Sequence, residues 1–182
     1  MALLLLVLIA PLLGSYRETH RRSVCLNNLK QIGLAIRLYS GDCEDKFPAD
    51  PGLSALGSFG MLTNTYWVYH TSLGKYQRGP FQTNYQTWAC PSDVGVVVGS
   101  PTKPFTSVNL SYAYGGIGLS EAAQPDTPIA CDRSSQGDPV STTPWSNNQW
   151  THKSDGGNVL FADGHVAWFK TLAVPMYRGK NP

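Results

Sequence analysis

Charged side chains are scarce in this chain: Asp, Glu, Lys and Arg make up 14% of its 182 residues, and the first of them is Arg17. The balance is a net +2 with an isoelectric point near 8.3, with no basic stripe and no aromatic residues interleaved with Lys or Arg. Nucleic acid is therefore not an expected partner, because a phosphate backbone is gripped by clustered cations. Catalytic signatures are missing as well. No Ser/His/Asp or Cys/His arrangement, Gly-rich phosphate loop or H-E-x-x-H motif occurs, and the chain is not expected to be an enzyme. The four cysteines, Cys25, Cys43, Cys90 and Cys131, include no C-x-x-C pair and meet no His at zinc-finger spacing, so local spacing gives a structural zinc site little support. There is no internal repeat.

Long apolar sequence is present, at the front. Leu3, Leu4, Leu5, Leu6, Val7, Leu8, Ile9, Pro11, Leu12 and Leu13 belong to an uncharged stretch over residues 1–16. As a helix its apolar part would span about 20 Å, short of a hydrocarbon core of about 30 Å. A basic n-region and an A-x-A site are both missing, which argues against a secretory signal peptide. Such a surface must be buried in lipid or against other copies, and Pro11 is expected to kink or locally unwind the helix.

Residues 17–44 read as the amphipathic continuation of that helix. Cys25, Leu29, Ile32, Ile36, Tyr39 and Cys43 recur at spacings of four and three and make one apolar stripe. Arg17, Arg21, Arg22, Lys30 and Arg37 fall outside it as an expected solvated basic face, and Gly41, Asp42 and Pro48 mark the helix end. This divides the chain into an N-terminal helix, 1–47, and a β-rich head, 48–182.

In the head, Tyr85–Ala89, the segment Val108–Gly116 and Ile129–Cys131 read as strands, and 134–148 as a long polar loop. The strongest element is the hairpin over 158–169. Asp163-Gly164 fits a two-residue type I′ turn, pairing Ala162 with His165, Phe161 with Val166, Leu160 with Ala167 and Val159 with Trp168. That register puts Val159, Phe161, Val166 and Trp168 on one apolar face, the expected seat of the helix. The fold class is α+β, a long N-terminal α-helix packed on a small antiparallel sheet.

If Cys25 and Cys43 share one helix they are about 27 Å apart, beyond bonding reach. Cys90–Cys131 is therefore the expected disulfide, with Cys25 a buried thiol. Asn109-Leu110-Ser111 is a glycosylation sequon. His152, Asp163 and His165, with Asp132 as a further member, are the residues from which a metal or acid/base site could be assembled, but a turn Asp ordinarily caps its own backbone. His152 reads as a ring that locks its loop against the hairpin or the Ile129–Cys131 strand.

The segments "CLNNLKQIGLAIRLYSGDCEDKFP", "WACPSD", "PIACDR" and "GGNVLFADGHVAWF" resemble, in order, the recurring blocks of bacterial type IV pilin-like and pseudopilin-like proteins with a C-terminal H-x9-DG signature. His152, Asp163 and Gly164 are the matching signature residues here, at a spacing of H-x10-DG. Leu5 stands where that group carries a mature Glu, and Pro11 comes early against the roughly twenty apolar residues of a span.

The resemblance implies a pilin-like fold and a structural subunit of an extracellular pilus-like filament. Its partners would be copies of itself and, before assembly, the inner membrane. The alternatives are a pseudopilin of a type II secretion system, or a membrane-anchored binding module or metal-dependent enzyme using His152, Asp163 and His165. The only cofactor the resemblance leaves room for is Ca2+, with Asp93, Asp132 and Asp163 as candidate ligands.

Overall fold

In a computed structural model of the chain, the described residues are 2–52, 54–63, 67–70, 75–78, 81–133 and 151–170, and side chains are described from residue 16 onward, outside the 67–78 hairpin. One helix, α1, runs Ala2–Asp42, and Pro11 does not interrupt it. The expected stripe is its buried side: Cys25, Leu29, Ile32 and Ile36 are fully buried, and Tyr39 and Cys43 nearly so. The chain then turns through Glu44 and Asp45, both in left-handed backbone at φ 55° and 59°. Asp45 N–H donates to Ser40 O at 2.9 Å, which closes the helix end.

A short helix α2 (Ala55–Thr63) precedes a two-stranded antiparallel hairpin, β1 (Trp67–His70) and β2 (Lys75–Arg78). The main sheet is a four-stranded antiparallel meander in the order β3 (Tyr112–Tyr114), β4 (Pro128–Asp132), β5 (Gly157–Phe161) and β6 (Val166–Phe169). With α1 laid across it, the layout is the long helix on a small antiparallel sheet that the sequence predicts.

Three expectations are corrected. Tyr85–Ala89 is not a strand: Tyr85–Trp88 is a 3-10 turn, because the Asn84 side chain accepts from Gln86 N–H at 3.0 Å and its carbonyl from Thr87 N–H at 3.0 Å. The strand within Val108–Gly116 shrinks to β3, since Ser107–Asn109 is also a 3-10 turn.

The third correction concerns the last hairpin, whose register is one residue from the expected one. Leu160 pairs with Val166, Val159 with Ala167, Asn158 with Trp168 and Gly157 with Phe169. Phe161 N–H donates to His165 O at 3.0 Å, so the loop is the three residues Ala162, Asp163 and Gly164, with only Gly164 at positive φ, 89°. This is a three-residue hairpin loop with Gly in the left-handed position, not a type I′ turn.

A one-residue slip exchanges the faces of a strand. Leu160, Ala162, Ala130 and Val166 therefore join the helix-side core, while Val159, Phe161 and Phe169 join Ala113 and Cys131 on the opposite face. At the crossing point a Cβ on Gly33 would meet Leu160 Cδ1 at 2.9 Å, so the missing side chain lets α1 approach the sheet closely. Among the described residues no helix is long and apolar enough to cross a membrane.

Candidate functional site

The sheet-facing side of α1 is apolar from Cys25 onward, but one to two turns earlier it meets a polar row. Tyr112 pairs with Asp132 across β3 and β4, Asn158 pairs with Trp168 across β5 and β6, and Asp132 and Asn158 are hydrogen-bonded. These four side chains form one line across the sheet. Glu18 and Arg22 of α1 and His152 of the loop before β5 close over its β4–β6 part.

His152 is the centre. Its side chain is fully buried, with Nδ1 at 2.7 Å from Glu18 Oε1, Nε2 at 3.5 Å from Asp132 Oδ2, and Nε2 at 3.6 Å from Cys90 Sγ. Its ring stands edge-on to Trp168 at 5.2 Å. Glu18 also accepts from Ser92 Oγ at 3.1 Å. Asp132 Oδ2 accepts from Asn158 N–H at 2.7 Å and from Asn158 Nδ2 at 3.0 Å. Its Oδ1 is buried and has no hydrogen-bond partner. Burial therefore raises the Asp132 pKa above the ordinary carboxylate range, although His152 and the Asn158 donors pull the other way. Arg22 lies 4.5 Å over the Trp168 ring and pairs with Asp155, so it is no solvated cation. Arg37 likewise bonds Ala162 O at 2.7 Å and pairs with Glu121.

Cys25 and Cys90 form a disulfide across a sequence separation of 65, which corrects the expected Cys90–Cys131 pair. Cys131 is a buried thiol outside the disulfide, on the far face of the sheet, and Cys43 is also a buried thiol. The helical stripe aims Cys25 at the head, and the turn after Trp88 brings Cys90 beneath it. The ligand atoms of Cys25, Cys90, Asp132 and His152 all lie within 4.8 Å of one another, and all four residues are buried.

The His152–Asp163–His165 grouping does not form. Asp163 and His165 sit at the hairpin tip, where Asp163 Oδ1 accepts from His165 N–H at 2.9 Å and lies 2.6 Å from His165 Nδ1. Those donors hold the Asp163 pKa below its usual value. Asn158, which touches Asp132, is roughly 16 Å of strand from Asp163 at 3.3 Å per residue. His152, at the opposite end of β5, instead faces Asp132 of β4, Nε2 to Oδ2 at 3.5 Å.

Of the Ca2+ candidates, Asp93 is bound by Arg133 at 2.8 Å and lies near enough to Asp132 to help raise its pKa, Asp132 is in the buried row, and Asp163 stands apart at the tip. Asn109 is buried and its Nδ2 donates to Val97 O at 2.8 Å, so the folded head presents no free amide for glycosylation. The loop 134–148, with Trp145, and Trp150 lie outside the described residues, as do the side chains of the assembly segment from Leu3 to Leu13. Sequence reasoning missed Glu18 and Arg22, whose only signal was their place on the helix one and two turns before Cys25. It also missed Asn158, which orients Asp132.

A family model described as a protein of unknown function, DUF1559, matches residues 14–73. No curated protein and no solved structure matches the chain. The matched stretch holds α1 from Gly14 onward and α2, and the family is typical of prepilin-like bacterial surface proteins. With the long helix on a small antiparallel sheet, this supports a pilin-like protein of the bacterial surface.

Proposed function

We propose that the chain is a structural subunit of a pilus-like helical filament, assembled through the N-terminal part of α1. The observation that carries this reading is the continuity of α1. It is one helix from Ala2, yet among its described side chains the fully buried ones begin at Cys25 and the first described tie to the head is at Glu18. The preceding residues, 2–17, add roughly 24 Å of helix at 1.5 Å per residue, and their sequence is uncharged up to Arg17 and apolar from Ala2 to Leu13.

Burying a dozen such side chains against neighbouring copies would supply on the order of 10 kcal/mol or more per subunit before ordering costs. Leu34 and Leu38, each about half exposed on α1, are separate apolar side chains open to a neighbouring copy. The disulfide and the His152 clamp suit a subunit whose helix must transmit load to its head, because both tie helix and sheet directly.

Electron microscopy of material sheared from cells producing the chain tests the reading. Fibres that disappear when residues 2–13 are deleted support it. Stubs that remain with the inner membrane would indicate a secretion pseudopilus, and monomers alone would sink both.

A further inference from the structure

We infer that the chain carries a redox-gated zinc site: with the Cys25–Cys90 bridge reduced, Cys25, Cys90, His152 and Asp132 bind one Zn2+ between α1 and the sheet. Local spacing cannot reveal this set, because the ligands come from a helix, a turn, a strand and a loop. The fold alone brings them within 4.8 Å of one another, all buried.

Three features fit zinc in particular. Two thiolates, an imidazole and a carboxylate are its ordinary ligands, and four of them close a structural tetrahedron. With metal–ligand bonds of 2.0–2.3 Å, the edges of that tetrahedron are roughly 3.3–3.8 Å. His152 Nε2 already stands 3.6 Å from Cys90 Sγ, close to that edge length, and 3.5 Å from Asp132 Oδ2, the oxygen beside the unpartnered Oδ1 that would ligate.

The surrounding shell is also that of a metal site. Glu18 holds His152 Nδ1 at 2.7 Å, the carboxylate–histidine arrangement that fixes the ring with Nε2 toward a metal. Asn158 orients Asp132 through Oδ2, while Asp132 Oδ1, buried and without a partner, has a lone pair to give. Arg22, which pairs with Glu18 and Asp155 beside this group, offsets the negative charge of two thiolates and two carboxylates.

The gate is covalent. In the disulfide neither sulfur is a thiolate, so neither ligates. A thiol or phosphine reductant delivers two electrons and yields two thiols, which release two protons as Zn2+ binds. In the other direction, a small-molecule or protein disulfide takes two electrons from the zinc-bound thiolates. The Cys25–Cys90 bond forms, two thiolates leave on the oxidant, and Zn2+ is released. Zinc thus makes the helix-to-head tie in a chain whose cysteines are still reduced, and the disulfide makes it afterwards.

The test uses the full chain in detergent micelles, with Cys43→Ala and Cys131→Ala to remove the other thiols. After phosphine treatment and exposure to zinc, metal content after gel filtration is expected to be one equivalent per chain, against none in the untreated disulfide form. Cobalt in place of zinc should give tetrahedral d–d absorption with thiolate charge transfer. His152→Ala should abolish retention, and Glu18→Gln should weaken zinc binding about tenfold or more through the lost support of the ring. If His152→Ala does not fold, the cobalt spectrum and Glu18→Gln decide. A reduced chain that retains no zinc overturns the proposal. So does a six-coordinate cobalt spectrum without thiolate bands, or retention indifferent to both variants.

Discussion

Where Leu29, Ile32 and Ile36 of α1 lie over Ala130 and Leu160, the interface is apolar and fully buried. One to three turns earlier, the same helix meets the same sheet through Glu18, Arg22, the Cys25 disulfide, His152 and Asp132. The apolar end gains by area and is indifferent to direction. The polar end gains little net free energy from its hydrogen bonds and ion pairs, because their desolvation offsets most of their attraction. What it supplies is direction: a carboxylate, an imidazole and a covalent bond satisfied only at one rotation and one axial position of α1. Because α1 continues N-terminal to these contacts, that end sets how helix and head are oriented.

The comparison can be broken at either end. Replacing Cys25 and Cys90 together by Ser, with a chelator present, removes a link across 65 residues and is expected to cost about 4 kcal/mol in urea unfolding. A loss under about 1 kcal/mol would mean that the clamp is held by the Glu18–His152–Asp132 contacts instead. At the apolar end, Ile32→Ala opens a cavity beneath a fully buried side chain and should cost about 3 kcal/mol with the disulfide intact.

Acid–base behaviour separates the two ends further. The Asp132 carboxyl has a raised folded-state pKa, so its contribution is fully present below the ordinary aspartate value and is lost as pH rises toward the folded value. One group gives a slope of at most about 1.4 kcal/mol per pH unit. Unfolding free energies measured from acid to neutral pH should show a falling component that Asp132→Asn removes and Ile32→Ala leaves in place. The smallest expected effect lies at the hairpin tip. Gly164→Ala meets no atom closer than Arg37 Nε at 3.7 Å, so its cost of about 1 kcal/mol would come from the φ of 89° alone.

What was legible in the sequence is what local periodicity encodes. The stripe from Cys25 to Cys43 is read from spacing because a helix repeats every 3.6 residues wherever it packs. Asp163-Gly164 announced a hairpin for a similar reason. Its register was not legible, because the choice between a two- and a three-residue loop is made by a neighbour. Ala162 N–H donates to Thr127 O at 2.8 Å and Asp163 N–H to Pro125 O at 3.3 Å, which anchors the loop on the segment before β4. That anchoring helps to decide that Leu160, and not Phe161, faces the helix.

Short-range pattern is enough for the long helix, its buried side, the α+β class and the resemblance to pilin-like proteins. The packing of α1 on the sheet is what joins Cys25 to Cys90, brings His152 to Glu18 and Asp132, and leaves Asp163 and His165 apart from them. Only Glu18 and Cys25 share a local spacing, two turns of α1; residues 90, 132 and 152 share none with them or with one another. Their meeting follows from burying the α1 stripe on the sheet, which carries the polar side chains on the same surfaces into one place.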